Sequence, residues 1–440
     1  MYGSTVFSNH EQIEETWQRW TAMGLPVSLR RDYLAFVNVW EYAAYLLLAI
    51  AAFLAPFALP VARGMATLGT IVLVVFSFNA AKRMALPFTA ILAGAFAVIN
   101  VVVTYLGVNQ DIGVPKLRQL AWWFVIVPVA TLANTPRRLE SIVKCLTAGM
   151  FVLAVQSLVE APFAAWIYMQ TGRAKNVVEG FIHAGSMTDS QRLMVGVILA
   201  AVWWLQRRNE KRASRGPLAI LLLCVLALFL GFRRWSWACA LLCAGAMFVR
   251  HVSRRTLLLV LLMGAVAVNL PPVRDRIMSI QQEFHEAHGG RWFMWKRIAP
   301  AIINDYPEGI GWHSLTTEWI KEIGFDVEPG RSHLRSNVIE VLVETGWAGF
   351  IVYMVWMLRG ILDAVGFRLF AESGRELMCA RGILFAFLAL LLNGLVEYSF
   401  GDSEIIVFYA LLMGLAAAGS RQVTARVFGR SNGRKPAVRA

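Results

Sequence analysis

Apolar residues along this chain fall in runs of about 16 to 22, the length needed to cross a bilayer as a helix. Reading those runs predicts about twelve spans, near 43–60, 65–80, 86–107, 119–135, 142–169, 192–206, 217–232, 235–250, 256–271, 338–358, 382–400 and 404–420. Glu160 and Pro162 inside the fifth run predict a kink or a partly interfacial stretch. Most connections are short. One is not: from Pro272 to about Asn337 the chain leaves the apolar pattern for roughly 65 residues, a length that marks a functional loop or a small subdomain.

Composition agrees with the pattern. The 440 residues are 58% hydrophobic and 16% charged, too apolar for a soluble protein of this size. The fold class predicted is therefore all-α, a polytopic transmembrane bundle with one large loop subdomain. A net charge of +14 would suggest nucleic acid in a soluble chain. Here it marks cytoplasmic connections, so no nucleic-acid partner is expected.

The clusters "AKRM" (81–84), "PRRLE" (136–140), "RRNEKRASR" (207–215), "RHVSRR" (250–255), the 359–381 segment and the basic tail fall at every second connection between spans, and so share one side. By the positive-inside rule they lie in the cytoplasm together with both termini. The polar segment 1–36, with Trp17 and Trp20, reads as an interfacial helix rather than a signal peptide. Spans 37–271, the outward loop 272–337, spans 338–420 and the membrane-facing basic tail 421–440 complete the organisation. The cysteines (145, 224, 239, 243 and 379) sit in or beside apolar runs, so neither a disulfide framework nor a zinc site is indicated.

That topology puts Arg233 and Arg234, in "LFLGFRRWSWACALL", on the outer face against the usual charge trend. The outer loop adds Arg291, with Lys296 and Arg297, in "GGRWFMWKRIAPAII". "GRSHLRSN" supplies Arg331, His333 and Arg335. Arginines converging from separate segments suit a diphosphate, which they bind through paired, charge-assisted hydrogen bonds. The alternative for each is snorkelling to lipid phosphates, the better reading for Lys296 and Arg297.

A proton acceptor is best sought at His333, just before an apolar helix and flanked by arginines that favour its neutral form. His313 and His183 are weaker candidates. Asp111 alone stands in an early outward loop, and Asp305 and Glu308 in "NDYPEG" read as turn chemistry. No metal site and no cofactor are therefore expected. Glu160, Asn393 and Glu397 are polar residues in apolar surroundings, functional candidates or simply solvent contacts near helix ends.

The order of these segments resembles the O-antigen ligase and polymerase superfamily. "FIHAGSMTDSQRLMVGVILA" (181–200) is similar to the family's loop entering a mid-chain helix, and "LGFRRWSWACALL" to its helix–turn–helix with an arginine at the turn. "RWFMWKRIAPAIINDYPEGIGWHSL" follows the pattern Arg-x-x-x-Trp, then Asp-x-Pro-x-x-Gly-x-Gly. "SNVIEVLVETGWAGFIVYMV" places Glu340, Glu344 and Gly346 at the family's spacing. The likeness covers about 180 to 360; the first 180 residues share only topology.

The resemblance implies a multi-pass enzyme of the bacterial inner membrane that takes a glycan from undecaprenyl diphosphate in the periplasm. The acceptor implied is a lipid A-core sugar (ligase) or a second lipid-linked glycan (polymerase), with no metal. Carried onto this chain, Arg233, Arg234 and Arg291 hold the diphosphate, and a loop histidine removes the acceptor proton. Alignment through Glu340 and Glu344 puts Arg335–Ser336 where the family has His-Asn. Either His333 serves from two positions upstream or another base does. A polymerase-type Arg-x10-Gly pattern is not evident, which tilts the reading toward ligase. A transporter of a lipid-linked or anionic substrate is the rival, disfavoured by the lack of internal repeats.

Overall fold

The computed structural model describes residues 27–76, 84–171, 187–231, 233–248, 290–327 and 332–433, with Asn269, Arg274 and Phe284. The segment 1–26, the span expected at 256–271 but for Asn269, most of 272–289, and the end of the basic tail lie outside the described residues. So do Arg331, His183, His285 and His288.

Every regular element among the described residues is helical. In chain order these are α1 Val27–Leu54, α2 Leu59–Phe76, α3 Phe88–Leu106, α4 Gln110–Lys116, a 3-10 helix Leu117–Val125, α5 Ile126–Leu132, α6 Pro136–Thr171, α7 Met187–Asn209, α8 Arg215–Leu230 and α9 Arg234–Phe248. Then come α10 Arg291–Phe293, a π turn Met294–Ile298, α11 Ala299–Asp305, α12 Thr317–Glu322, α13 Asn337–Phe370, α14 Gly374–Gly394 and α15 Ser403–Gly433.

Five of the described helices contain stretches long and apolar enough to cross a membrane: Phe88–Leu106, Pro136–Pro162, Asn337–Phe370, Gly374–Gly394 and Ser403–Phe428. Shorter apolar stretches are Val39–Leu54, Leu59–Val75 and Arg215–Leu230. The chain is an integral membrane protein.

Helix α3 shows how side-chain spacing divides lipid from protein. Ile91, Val98, Val102 and Tyr105 share one face and are exposed, whereas Ala93, Phe96, Ala97, Asn100 and Thr104 on the other are buried. Helix α15 is different: Ile405 to Ala418 is buried all round, which makes it a central helix of the bundle. It packs against α13, α14, α5 and the 3-10 helix.

Two of the expected spans differ in detail. The run 119–135 is not one helix but a 3-10 helix followed by α5. Pro128 lacks an N–H and cannot donate to the carbonyl four residues back, which favours a change of winding there. Helix α6 continues through Pro162, with Gln156 Nε2 donating to Glu160 Oε1 over 3.2 Å, so Glu160 is accommodated within the helix.

Aromatic rings fill the centre. Trp123 meets Trp356 at 4.5 Å and Phe400 at 4.7 Å between centroids, and Phe400 meets Tyr353 at 4.9 Å. Phe96 packs edge-on against both Phe400 and Trp312. Phe400 and Trp312 belong to connecting segments rather than spans, and both are fully buried. They act as plugs that root two loops in the bundle.

Truncating such a plug removes a large buried ring and leaves a cavity. Phe400→Ala should therefore destabilise the protein by about 3 kcal/mol. Val98→Ala, at a side chain 63% exposed, should change little. Thermal unfolding of the detergent-purified protein, followed by tryptophan fluorescence, measures both.

Candidate active site

The site assembles on the first two turns of α13. Glu340 and Glu344 are four residues apart and so share one face. Both are buried, and each carboxylate accepts a backbone N–H from a different loop. Glu340 Oε2 takes the N–H of Leu334. Glu344 Oε1 takes the N–H of His313 at 2.8 Å. One helical face thus holds both candidate histidines, His333 beside Leu334 and His313 directly.

The first of these loops, "DYPEGIGWHSL", docks on a break in the helix. Gly346 has φ 63° and ψ −172° inside α13, and Gly309 and Gly311 have φ of 97° and 106°. Ile310 N–H donates to Val343 O (3.1 Å), Gly311 N–H to Glu344 O (2.9 Å) and Trp347 N–H to Pro307 O (3.2 Å). A Cβ on Gly346 would lie 2.3 Å from the Glu308 carbonyl carbon, and one on Gly309 would lie 2.5 Å from the Gly346 nitrogen. The two backbones approach this closely only because both residues lack a side chain. Asp305 and Glu308 are exposed on the turn, in keeping with turn chemistry.

The loop's other edge meets the end of α3. Trp312 N–H donates to Thr104 Oγ1 (2.8 Å), Val108 N–H to Ile310 O (3.0 Å) and Asn109 Nδ2 to Ser314 O (2.7 Å). His313 itself has φ 52°, an uncommon conformation for a residue with a side chain. The Glu344 bond and a 3.3 Å contact between its Nε2 and Gly401 O hold it there.

A third segment, "NGLVEYSFGD" (393–402), joins everything together. Asn337 Oδ1 accepts from Ser399 N–H (2.7 Å) and Phe400 N–H (2.9 Å). The Tyr398 ring packs against His313 at 5.9 Å and His333 at 5.7 Å. Its hydroxyl reaches Glu344 Oε2 at 3.5 Å. Asn393 Nδ2 donates to Ser236 Oγ at 3.3 Å, tying the segment to the start of α9.

The arginines divide into two groups. Arg291 is 2% exposed and already engaged: it donates to Val396 O, lies 3.4 Å from Arg335 O and pairs with Glu397 Oε1 at 3.1 Å. It clamps the His333 loop to the 393–402 segment, assisted by Trp295 Nε1 donating to Leu334 O at 2.7 Å. Arg234 opens α9 and is buried, with Arg233 half-buried beside it. Phe284 links the groups, meeting Trp235 at 6.0 Å and the Arg291 guanidinium at 5.7 Å. Trp237 fixes the α8–α9 turn by stacking on Phe229 and donating to Leu228 O at 2.7 Å.

Arg335 has φ 55° and is half-buried, and Ser336 after it caps α13 in an extended conformation. Lys296 and Arg297 are exposed, Lys296 lying over the Trp292 ring at 4.7 Å.

Burial pushes the His313 imidazole down to about 4, against its bond to Gly401, with the Lys116 and His333 charges adding to the effect. Burial likewise raises Asp402 to about 7, with Glu404 adding and Lys116 opposing. Tyr398 is held well above the ordinary phenol value by burial and by the nearby carboxylates, so it remains an O–H donor. His313 is neutral at physiological pH but too weakly basic to accept a proton readily.

Sequence reasoning marked Asn393 and Glu397 but missed Tyr398, Asn337 and the 393–402 segment as a unit. The available signal was the short polar interruption between two apolar runs.

Residues 213–354 match the family described as O-antigen ligase. The match supports membership of the O-antigen ligase family. It contains Arg233, Arg234, Arg291, His313, His333 and both buried glutamates; the 393–402 segment follows it. That likeness suggests a membrane role in glycan ligation. No curated protein matches the chain.

Gly346→Ala should lower the melting temperature sharply, because the added methyl meets backbone at a positive φ. Gly245→Ala, with nothing within 4 Å, should leave it unchanged or slightly raised. The depressed His313 value has a further consequence for stability. Its contribution is complete above about pH 6.5 and is lost as pH falls from there toward 4. Acid unfolding curves of His313→Gln should be flatter than wild type in that window.

Proposed function

We propose that the protein transfers a glycan from undecaprenyl diphosphate to a lipid A-core sugar or a second lipid-linked glycan. The reaction takes place on the periplasmic face of the inner membrane, in a bundle of about twelve spans with both termini in the cytoplasm. One observation carries this reading: two histidine loops, both held by the α13 glutamates, meet around Tyr398 next to the helix that begins with Arg234.

The acceptor hydroxyl attacks the anomeric carbon, and His333 takes its proton. The bond from that carbon to the diphosphate oxygen breaks, and its electron pair leaves on the phosphate. Arg233 and Arg234 meet the new charge, aided by the N-terminus of α9. Arg291 adds its positive charge from behind, and a diphosphate reaching it would compete with Glu397. His313 is too weak a base for the proton and positions the ring of Tyr398, against which His333 packs. Arg335 and Arg331 lie in the same loop as secondary phosphate contacts.

The test is transfer by purified protein from an undecaprenyl-diphosphate glycan, with lipid A-core and a second lipid-linked glycan offered separately. His333→Ala and Arg234→Ala should each lower kcat by about 100-fold or more. Lys296→Ala should remain near wild type. A single added glycan on lipid A-core indicates a ligase, and extended chains indicate a polymerase. Wild-type rates in both site variants, or an inert donor, would overturn the proposal.

A further inference from the structure

His333 rides on its neighbour Leu334, and Leu334 is held three ways. Its side chain is fully buried in a small apolar core with Met294, Ile298 and Val343. Its N–H donates to Glu340 Oε2, which fixes the peptide joining it to His333. Its carbonyl accepts from Trp295 Nε1 at 2.7 Å, which fixes the peptide joining it to Arg335. The first bond orients the backbone directly behind the imidazole. The second comes from a half-buried indole that takes no part in the steps of glycan transfer.

Arg335 supplies a reason for that second bond. It has φ 55°, a conformation that a residue with a side chain adopts only at a cost. The angle depends on how the Leu334–Arg335 peptide is turned. A hydrogen bond to the carbonyl of that peptide resists the rotation that would return Arg335 to an ordinary conformation. Without it, a change in φ at Arg335 would be taken up in ψ of Leu334 and passed back toward His333.

The Trp295 ring is itself held. It meets Trp292 edge-on at 5.6 Å and Phe284 at 5.9 Å between centroids. Phe284 also meets Trp235, the residue after Arg234, at 6.0 Å, and lies 5.7 Å from the Arg291 guanidinium. A run of rings therefore leads from the start of α9 to the carbonyl of Leu334. Trp295 lies in the π turn Met294–Ile298, a winding that is rare and found mostly at functional sites. An indole suits the position, since it offers a rigid ring to its neighbours and one N–H at its edge.

We propose that Trp295 is a positioning residue: its N–H holds the Leu334–Arg335 peptide and so sets His333 relative to Arg234. This role rests on His333 being the base in glycan transfer. Proton removal and charge stabilisation on the leaving group occur at opposite ends of one displacement. The two groups must therefore be placed together, and a small error in placement loses much of the rate. Trp295 touches neither the proton nor the phosphate and acts through His333 alone.

The test is a double-mutant comparison in the purified full-length protein, read as transfer from an undecaprenyl-diphosphate glycan. Trp295→Phe keeps a ring and removes the N–H. It should lower kcat by about 10-fold and leave KM for the donor near wild type. In His333→Gly the tethered base is gone. Trp295→Phe should therefore cause no further loss there, either in the residual rate or in the rate restored by free imidazole. A Trp295 that served only the fold would lower the rate by the same factor in both backgrounds, and that result would overturn the proposal. So would a wild-type kcat in Trp295→Phe. If the phenylalanine variant melts well below wild type, benzothienylalanine at position 295 keeps the bicyclic shape without the N–H. It should reproduce the loss of kcat, and full activity would again overturn the proposal. Full transfer by His333→Gly without imidazole is a different outcome, which removes the base from the proposed function and this role with it.

Discussion

Everything at the candidate site depends on two carboxylates buried on one face of α13. Removing a carboxyl group from water is expensive unless hydrogen bonds replace the lost hydration. Glu340 and Glu344 obtain theirs from backbone N–H groups of two distant loops, at Leu334 and His313. Leaving either buried acceptor without its donor costs about 1–3 kcal/mol. The loops are therefore held in place by the cost of leaving the glutamates unsatisfied. Backbone donors also make the arrangement indifferent to the loop side chains, which stay available for other work.

Around that pair, three kinds of contact converge on one short segment. Asn337 fixes the backbone of Ser399 and Phe400, Phe400 anchors in the aromatic centre, and Arg291 clamps Val396 and Glu397. Tyr398 is left between the two histidines, with Asn393 reaching across to the start of α9. A reactive group needs this kind of support, because small errors in placement lose much of the rate. The histidines also separate by environment. His313, deeply buried, is held neutral and weakly basic, while His333 is only half-buried.

Much of this was legible in the sequence, for reasons that can be named. Apolar runs announced the helices because bilayer-spanning segments must satisfy their backbone bonds internally. The spacing of Glu340, Glu344 and Gly346, together with "DYPEGIGWHSL", was legible through the family resemblance, and the fold shows why glycines stand there, since the two backbones approach closely. What was not legible depended on tertiary contact. Arg291 looked like a free phosphate ligand, but in the fold its donors are largely spent on Val396, Arg335 and Glu397. Tyr398 carried no signal in the sequence, and only the fold sets its ring against His313 and His333. The division of 119–135 turned on Pro128, whose effect on winding is hidden in a run that is uniformly apolar.

The central claim is that His333, held in place through Leu334 by Glu340, accepts the proton of an acceptor hydroxyl. Its most direct test is chemical rescue of His333→Gly by free imidazole in the purified transfer assay. The account predicts that transfer collapses in the variant and returns in part as imidazole is added, following the fraction of neutral imidazole as pH is varied. Transfer by His333→Gly at the wild-type rate without imidazole would contradict it.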